Sequence, residues 1–274
     1  MDDAFHSPSA ARSARHAYSA ALESHVRSFV ERRHSDLWRS QRRFDLLGPV
    51  GPRCASALDK FGNRDDEKRA CGLSKHLSQP CVIVSVGNNN MWHFEADAAN
   101  CTGCDVHVFD CTVSASTQPP LELRRRVFFH HLCIANRTFD DAAGRSFVTW
   151  STLLQRTVPS AAAPEYLKLD VEGFEYGVMR DVLDSGTLPK QIAIEVHWRT
   201  YTSAARASGW PWRCVGGEAS ARARDGMYAC DVPPEAIAQW SDELWRRGRY
   251  MLIDRHDNVR SKYCAEVLFA RLVG

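Results

Sequence analysis

Hydrophobic and polar positions come in blocks along the chain, and the blocks predict strands and helices in turn. The run Cys81–Val86 is short and rich in β-branched residues, as in a strand buried on both faces of a sheet. Further runs of this kind lie at 106–109, 127–134, 166–169 and 191–196. Segments with helical spacing separate them, such as the helix predicted over 174–183, which ends before Gly186. This alternation predicts a parallel α/β sheet.

The carboxyl-terminal part has a different pattern. Pro233 and Pro234 open a predicted helix, and strands follow at 250–254 and 265–272. A polar turn around Asp257 joins these strands, so we expect an antiparallel hairpin.

At the amino terminus, residues 1–16 have no hydrophobic period and predict a frayed tail. Apolar residues at helical spacing then predict a helix over 17–33 that packs on the main domain; they are Leu22, Val26, Phe29 and Val30. We therefore expect a tail and helix over 1–43 and one α/β domain over 44–274.

Composition agrees with a globular protein, since 44% of the 274 residues are hydrophobic and 25% are charged. The net charge of +2 gives no broad basic surface, so we expect no nucleic-acid partner. No apolar run approaches the roughly 20 residues of a membrane span. The first 15 residues lack the apolar core of a signal peptide. A cytoplasmic location is therefore the default, with the Golgi or secretory lumen as the alternative.

Ten cysteines leave that alternative open, because an even number permits disulfides whose pairing the sequence does not give. Cys101 and Cys104 form the only CxxC motif. No second ligand pair follows at zinc-site spacing, so we expect buried or disulfide-bonded cysteines and no structural metal.

Polar residues follow the predicted parallel strands at the sheet edge where α/β proteins bind ligands. Gly87 follows the first strand and Asp110 the second; Asp170 and Glu172 follow the fourth, and Glu195 and His197 end the fifth. Four carboxylates and a histidine on one rim exceed what a fold requires.

The turn after the first strand indicates a nucleotide-like cofactor. Gly87 permits a tight turn, and the asparagines that follow tolerate left-handed backbone. Asp110 stands where an acid holds ribose hydroxyls, about 20 residues beyond the glycine. The GxGxxG loop that binds a pyrophosphate is missing, which disfavours NAD and FAD and favours S-adenosylmethionine.

These motifs resemble the FkbM-like group of class I methyltransferases and its eukaryotic methyltransferase-domain relatives. The most specific segment is KLDVEGFE at 168–175, with SVGNNN, HVFD and IEVH in the same order as in the family. The resemblance covers about residues 40–273. It implies a Rossmann-like sheet of seven strands, mostly parallel, with an antiparallel carboxyl-terminal hairpin.

The resemblance also implies S-adenosylmethionine as cofactor. Gly87, Asn88 and Asn89 would line its methionine part, Asp110 would bind its ribose, and Asp170 would face the methionine amino group or the substrate. The first motif departs from the usual pattern of repeated glycines, and this leaves the backbone contacts to the methionine part open.

Methyl transfer to a hydroxyl group also requires removal of its proton. We expect His197 to be the base because histidine titrates near neutrality, with Glu195 or Asp170 holding its other ring nitrogen. Alternatively, Asp170, Glu195 and His197 bind a divalent cation, an arrangement that we do not favour. Glu172 and Glu175 fit the first turn of a helix, and for Glu175 this capping role is preferred.

Two segments have two interpretations each. The charged run at 65–68 is a solvated face or a lid over the cofactor. The stretch 199–232 is a long aperiodic loop in which Trp210 and Trp212 form a sugar platform or anchor the core.

The sequence thus predicts a methyltransferase that uses S-adenosylmethionine, acting on an oxygen of a sugar or another small hydroxylated acceptor. A non-catalytic domain with the same fold and an NAD-dependent oxidoreductase are the alternatives.

Overall fold

The computed structural model describes residues 8–31, 45–54, 57–63, 66–75, 81–157, 163–214, 230–257 and 263–271. The helices in these ranges are α1 (Pro8–Glu31), α2 (His93–Cys101), α3 (Trp150–Thr157), α4 (Glu175–Ser185), α5 (Thr202–Ser208) and α6 (Pro234–Gly248). The strands are β1 (Leu58–Phe61), β2 (Lys68–Cys71), β3 (Val82–Val86), β4 (Asp105–Phe109), β5 (Val127–His130), β6 (Cys133–Ile134), β7 (Phe139–Asp140), β8 (Ser146–Val148), β9 (Tyr166–Leu169), β10 (Gln191–His197), β11 (Arg199–Thr200), β12 (Arg213–Cys214), β13 (Cys230–Asp231), β14 (Tyr250–Asp257) and β15 (Cys264–Arg271).

A seven-stranded sheet forms the centre of the molecule, in the order β14-β15-β10-β9-β3-β4-β5. Strands β10, β9, β3, β4 and β5 are parallel, whereas β15 runs antiparallel to both β10 and β14. The predicted Rossmann-like class and antiparallel terminal hairpin are confirmed. The strand order reverses between β3 and β9, and in α/β folds such a reversal opens a crevice for a ligand.

The parallel strands are buried on both faces, which is why they read as continuous apolar runs. Val84 and Val86 of β3 point into one hydrophobic core, and Ile83, which precedes them, points into the other. The first core also contains α4 and α6, while Phe94 of α2 belongs to the second.

The helix boundaries follow local sequence signals. Gly186 ends α4 in a left-handed conformation with φ of +73°, as predicted. Pro234 is the first residue of α6, where its missing N–H costs nothing. Trp240 and Leu244 bury the inner face of α6 against the sheet.

The first helix is longer than predicted. It begins at Pro8, so the part of the predicted tail from 8 to 16 is helical. Tyr18 and Leu22 are buried, and Tyr18 packs edge-to-face on Trp245 of α6. Tertiary contacts therefore place the helix on the main domain, as expected. The side chains of Phe29 and Val30 lie outside the described residues.

Two further expectations need correction, and one element was not expected. The predicted third strand over 127–134 ends at His130, and Cys133 begins a separate small sheet with β7 and β8. The loop over 199–232 contains α5 and a second small sheet of β11, β13 and β12, although 215–229 lie outside the described residues. The hairpin of β1 and β2 was not predicted.

No helix among the described residues is long and apolar enough to span a bilayer.

Candidate active site

A cavity of about 630 Å³ opens over the carboxyl ends of the parallel strands. Its lining includes the residues that follow β3, β4 and β9, the end of β10 and the start of β15. The volume is within the usual range for a small-molecule site. One end carries Gly87, Asn89 and Asp110, and the other carries Glu195, His197 and Cys264. We call these the glycine end and the acidic end.

The turn after β3 shapes the glycine end. Gly87 has φ of +81°, and a Cβ there would overlap the carbonyl oxygen of Asp170. Its N–H donates to the carbonyl of Phe109 at 3.0 Å, which ties the turn to β4. Asn89 and Asn90 have φ of 48° and 56°, the left-handed backbone that the asparagines were expected to tolerate.

Asn88 differs from the prediction, because it does not line the cavity. Its side chain is buried and donates to Glu95 Oε2 at 3.2 Å and to the carbonyl of Met91. Ser85 Oγ donates to the other Glu95 oxygen at 2.6 Å. Asn88 therefore stabilises the turn instead of lining the cavity.

Asp110 is buried at the end of β4 and faces the cavity. Its Oδ2 accepts the backbone N–H of Asn89 at 2.7 Å, and its Oδ1 accepts the N–H and hydroxyl of Thr112 at 2.7 and 2.6 Å. These bonds fix the carboxylate in one orientation against the turn. A carboxylate still has acceptor capacity for ligand hydroxyls when each oxygen already takes such bonds.

The charged run at 65–68 is not a solvated face in the described residues, which exclude Asp65, and a lid over the cofactor stays a prediction. Asp66 and Lys68 are almost completely buried. Asp66 Oδ1 lies 3.1 Å from the Lys168 ammonium, which donates to the carbonyl of Gly87 at 3.1 Å. Asp66 also borders the cavity, so this acid supports the glycine turn through Lys168.

Asp170 and Glu195 meet at the acidic end. Burial raises the pKa of Asp170 to about 6, and Glu195 adds to that rise. Burial opposes ionisation of Glu195 as well, but His197 and Lys68 lower its pKa below the ordinary value. The prediction that these two acids lie together with His197 agrees with the geometry.

The partner of His197 is a different acid from the one expected. His197 Nδ1 lies 2.8 Å from Glu175 Oε1, not beside Glu195 or Asp170. Glu175 is fully buried at the start of α4 and also accepts the N–H of Gly173, so it both caps the turn and orients the imidazole. Nε2 lies 3.4 Å from Glu172 Oε2. Burial would lower the pKa of His197, but Glu175 and its neighbours raise it well above the usual value.

Sequence reasoning missed Lys68, Cys264 and Glu266. Lys68 reaches from β2 to Glu266 Oε1 at 2.5 Å, and Glu266 is paired in register with Glu195 across β15 and β10. Burial raises the pKa of Glu266 to about 7. Cys264 Sγ lies 2.8 Å from Glu195 Oε1. The sequence signal that could have indicated Cys264 and Glu266 is that both interrupt a largely apolar strand.

The tryptophans of the 199–232 segment anchor the core. Trp210 is buried and stacks on Tyr176 with ring centroids 4.9 Å apart. Trp212 packs edge-to-face on the same ring and its indole N–H donates to Ser208. Neither borders the cavity. The sugar-platform interpretation is therefore not supported by their positions.

Comparisons with known proteins give one family. Residues 24–270 match a family model described as a methyltransferase domain. No curated protein matches the chain in a sequence search.

Several solved structures are similar at low identity. A fibrillarin/Nop5p complex shows 12% identity and a TM-score of 0.39, over 72% of this chain and 75% of that one. An O-methyltransferase family protein from Burkholderia thailandensis shows 12% identity and a TM-score of 0.35, over 74% of this chain and 53% of that one. An O-methyltransferase family 2 protein from Planctomyces limnophilus in complex with apigenin shows 11% identity and a TM-score of 0.37, over 92% of this chain and 62% of that one. At this similarity, what those proteins bind does not transfer to the chain.

Proposed function

The chain belongs to the methyltransferase-domain family, and we propose that it transfers the methyl group of S-adenosylmethionine to an oxygen atom of a small hydroxylated acceptor. The family match supports a class I methyltransferase dependent on this cofactor. The motif at 168–175 supports a place near the FkbM-like group. The observation that carries the proposal is a glycine turn and a fixed acid, Gly87 and Asp110, at the strand reversal of a methyltransferase-family sheet.

The residues at the glycine end fit this cofactor. The turn requires glycine at position 87, since the space that a Cβ would need is already filled by the backbone of Asp170. Asp110 would offer its fixed carboxylate to the ribose hydroxyls, and Gly87 and Asn89, which line the cavity, would border the methionine part. When bound, the cofactor supplies an electrophilic methyl group on a sulfonium.

The acidic end supports binding of the acceptor. Asp170 borders the cavity between the two ends, where it faces the methionine amino group or the acceptor hydroxyl. Glu195, whose pKa is lowered, offers a carboxylate that accepts the proton of this hydroxyl. His197 was expected to be the base, but its neighbouring carboxylates raise its pKa, so its imidazole orients the hydroxyl as a hydrogen-bond donor. Because Glu175 holds Nδ1, the imidazole presents its Nε2 side to Glu172 and the cavity.

A sugar or another small polyol is our first choice of acceptor. Hydroxyl groups match a wall of carboxylates and an imidazole, since these groups accept hydrogen bonds from O–H donors. Phe147, Phe174 and Tyr201 border the same cavity and offer apolar surface to a ring.

We also propose that the protein works in an oxidising compartment such as the secretory lumen. Disulfides link Cys54 to Cys71, Cys81 to Cys104, and Cys111 to Cys133, and Cys230 is disulfide-bonded as well. Such bonds are rare in the cytosol. Titration of thiols in the unfolded, unreduced protein should detect Cys101 and Cys264 but none of these bonded cysteines. Reaction of all ten would contradict the proposal.

Calorimetric titration tests the activity class. We expect S-adenosylmethionine and S-adenosylhomocysteine to bind, and Asp110→Ala to weaken both by about 10–100-fold, the value of charge-assisted hydrogen bonds. Asp140→Ala is the matched control, because Asp140 is exposed and outside the cavity. Binding of NAD without the other two would favour an oxidoreductase. Absence of all binding would favour a non-catalytic domain.

A further inference from the structure

We propose that Glu195, His197 and Cys264 form a binding site for a zinc-like divalent cation at the acidic end of the cavity. One ligand atom from each of the three residues lies within 4.8 Å of the others. A tetrahedral zinc ion with ligands at about 2.0–2.3 Å fits between these atoms after small side-chain rotations. The proposal concerns binding of the cation and does not depend on the methyl-transfer reaction.

The donor set favours a borderline-soft metal. A thiol sulfur, an imidazole nitrogen and a carboxylate oxygen are the three ligand types that zinc combines in proteins. All three residues are at least nine-tenths buried, with exposed fractions of 7% for Glu195, 3% for His197 and 2% for Cys264. They also border the cavity, which leaves room for an exchangeable fourth ligand such as water or an acceptor oxygen.

The hydrogen bond behind His197 is a second, independent observation. Metal-binding histidines almost always donate their other ring nitrogen to a carboxylate or carbonyl, which fixes the tautomer. Glu175 provides this carboxylate at 2.8 Å from Nδ1 and is itself held by the backbone N–H of Gly173. The same contact therefore orients Nε2 for a metal ion.

The local charge also calls for a cation. Five carboxylates are grouped here, of which that of Glu172 is exposed, near the three cationic groups Lys68, Lys168 and His197; the carboxylates are those of Asp170, Glu172, Glu175, Glu195 and Glu266. Glu266 is 5% exposed and lies opposite Glu195 in the strand pairing. Its Oε2 has no hydrogen-bond partner within the described ranges. Uncompensated buried carboxylates are costly unless a counter-charge is bound.

The cysteine pattern agrees with this assignment. Cys101 and Cys264 keep their thiols among the described residues, whereas the other cysteines whose side chains are described are in disulfides. Cys101 is exposed and does not line the cavity. Cys264 is therefore the thiol available to a metal at this site.

A second set, Asp170, Glu172 and His197, shares the histidine and would suit a harder cation such as Mg²⁺. The side chain of Glu172 is 58% exposed, so this set is less enclosed. The two sets differ in Cys264 against Glu172, and this difference decides the experiment.

The test uses Co²⁺ and Zn²⁺ alone on the full chain, without chelator or reductant and without cofactor. We expect one Zn²⁺ per chain by equilibrium dialysis and metal analysis. With Co²⁺ we expect a thiolate-to-metal charge-transfer band in the wild type and in the matched control Cys101→Ser. The band should disappear in Cys264→Ser, and Glu172→Gln should keep it.

Glu175→Gln should weaken Zn²⁺ binding by about 10–100-fold, as loss of an outer-shell partner does. X-ray absorption of the Zn²⁺-loaded Cys101→Ser protein should show one sulfur ligand at about 2.3 Å. This measurement needs no change at Cys264 and so stands if Cys264→Ser does not fold. No stoichiometric binding, binding without sulfur, or binding lost in Glu172→Gln but kept in Cys264→Ser would overturn the proposal. Cofactor titration of metal-free protein tests the methyltransferase proposal separately.

Discussion

The two ends of the cavity are built in different ways. At the glycine end, backbone geometry dominates: Gly87 accepts a close approach of Asp170, and backbone N–H groups hold the Asp110 carboxylate. At the acidic end, side-chain charges dominate, and Lys68, His197 and Glu266 come from strands far apart in sequence. The first end can be damaged by adding a single methyl group, whereas the second is sensitive to removal of a single charge. Geometry and charge can therefore be tested separately.

Removal of the Lys68 charge should have the largest effect. Lys68→Met leaves Glu266 buried without its ion-pair partner, and we expect the free energy of unfolding to fall by about 3–5 kcal/mol. The double variant Lys68→Met/Glu266→Met should recover much of this loss. Lys60→Met is the matched control, because Lys60 is largely exposed and its pair with Glu67 should contribute less than about 1 kcal/mol. Urea denaturation measures all three, and equal losses in both single variants would contradict the buried ionic network.

Removal of the disulfide next to the glycine end by substitution should have the second-largest effect. Cys111→Ala/Cys133→Ala opens a loop of similar length to that opened by Cys81→Ala/Cys104→Ala, with separations of 22 and 23 residues. Each should lower stability by about 2–5 kcal/mol. Only the first pair adjoins Asp110 and the cavity, so only it should also weaken cofactor binding. Equal cofactor affinities in the two variants would show that the bond next to Asp110 has no part in the site.

The glycine turn should respond to one added methyl group. Gly87→Ala combines left-handed strain of about 1–2 kcal/mol with displacement of the Asp170 carbonyl, so we expect cofactor affinity to fall at least about 30-fold. Gly144→Ala is the control, since Gly144 has φ of +75° but nothing within 4 Å of a Cβ. The Gly144→Ala variant should have the left-handed backbone strain without an overlap between its Cβ and another atom. Calorimetry that finds the same cofactor affinity in both variants would rule out the close-approach argument.

A buried histidine pair should give the smallest effect, visible only as a dependence on pH. His107 Nδ1 lies 3.1 Å from His130 Nε2 on neighbouring strands outside both ends. Burial lowers the pKa of each to about 4, from 6.5 in the unfolded chain. The folded state thus prefers the neutral rings, and this stability is present above pH 6.5 and lost as pH falls toward 4.

His107→Gln/His130→Gln should flatten the fall in melting temperature over that range, with His131→Gln, an exposed neighbour, as the control. A slope unchanged by the double substitution would assign the acid sensitivity to other groups.

The sequence predicted the central sheet because each parallel strand is a continuous apolar run and each helix has its own stop or start signal. Gly87, Asp110, Asp170, Glu195 and His197 were found for a related reason: in a parallel sheet they directly follow or end the strands, so the fold brings them to one edge. The helix start at Pro8 was missed because residues 8–16 have no hydrophobic period, and the helix is stabilised through Tyr18 and Leu22 further along.

The hairpin of β1 and β2 was missed for a different reason. Its charged residues resemble a solvated run, but Asp66 and Lys68 are buried because acids and lysines from other strands pair with them. The Glu175–His197 contact could not be predicted from the sequence either, because two acids nearer the expected site were equally reasonable partners of His197.

By itself, the sequence determined the α/β class, the strand at which each site residue lies, and the glycine turn, since these depend on local patterns and on the direction of strands. Only the tertiary structure decided which charges meet, which nitrogen of His197 faces the cavity and where Cys264 lies. Ionic partners are chosen by distance in space, and residues 175 and 197, or 68 and 266, become neighbours only when the sheet is assembled.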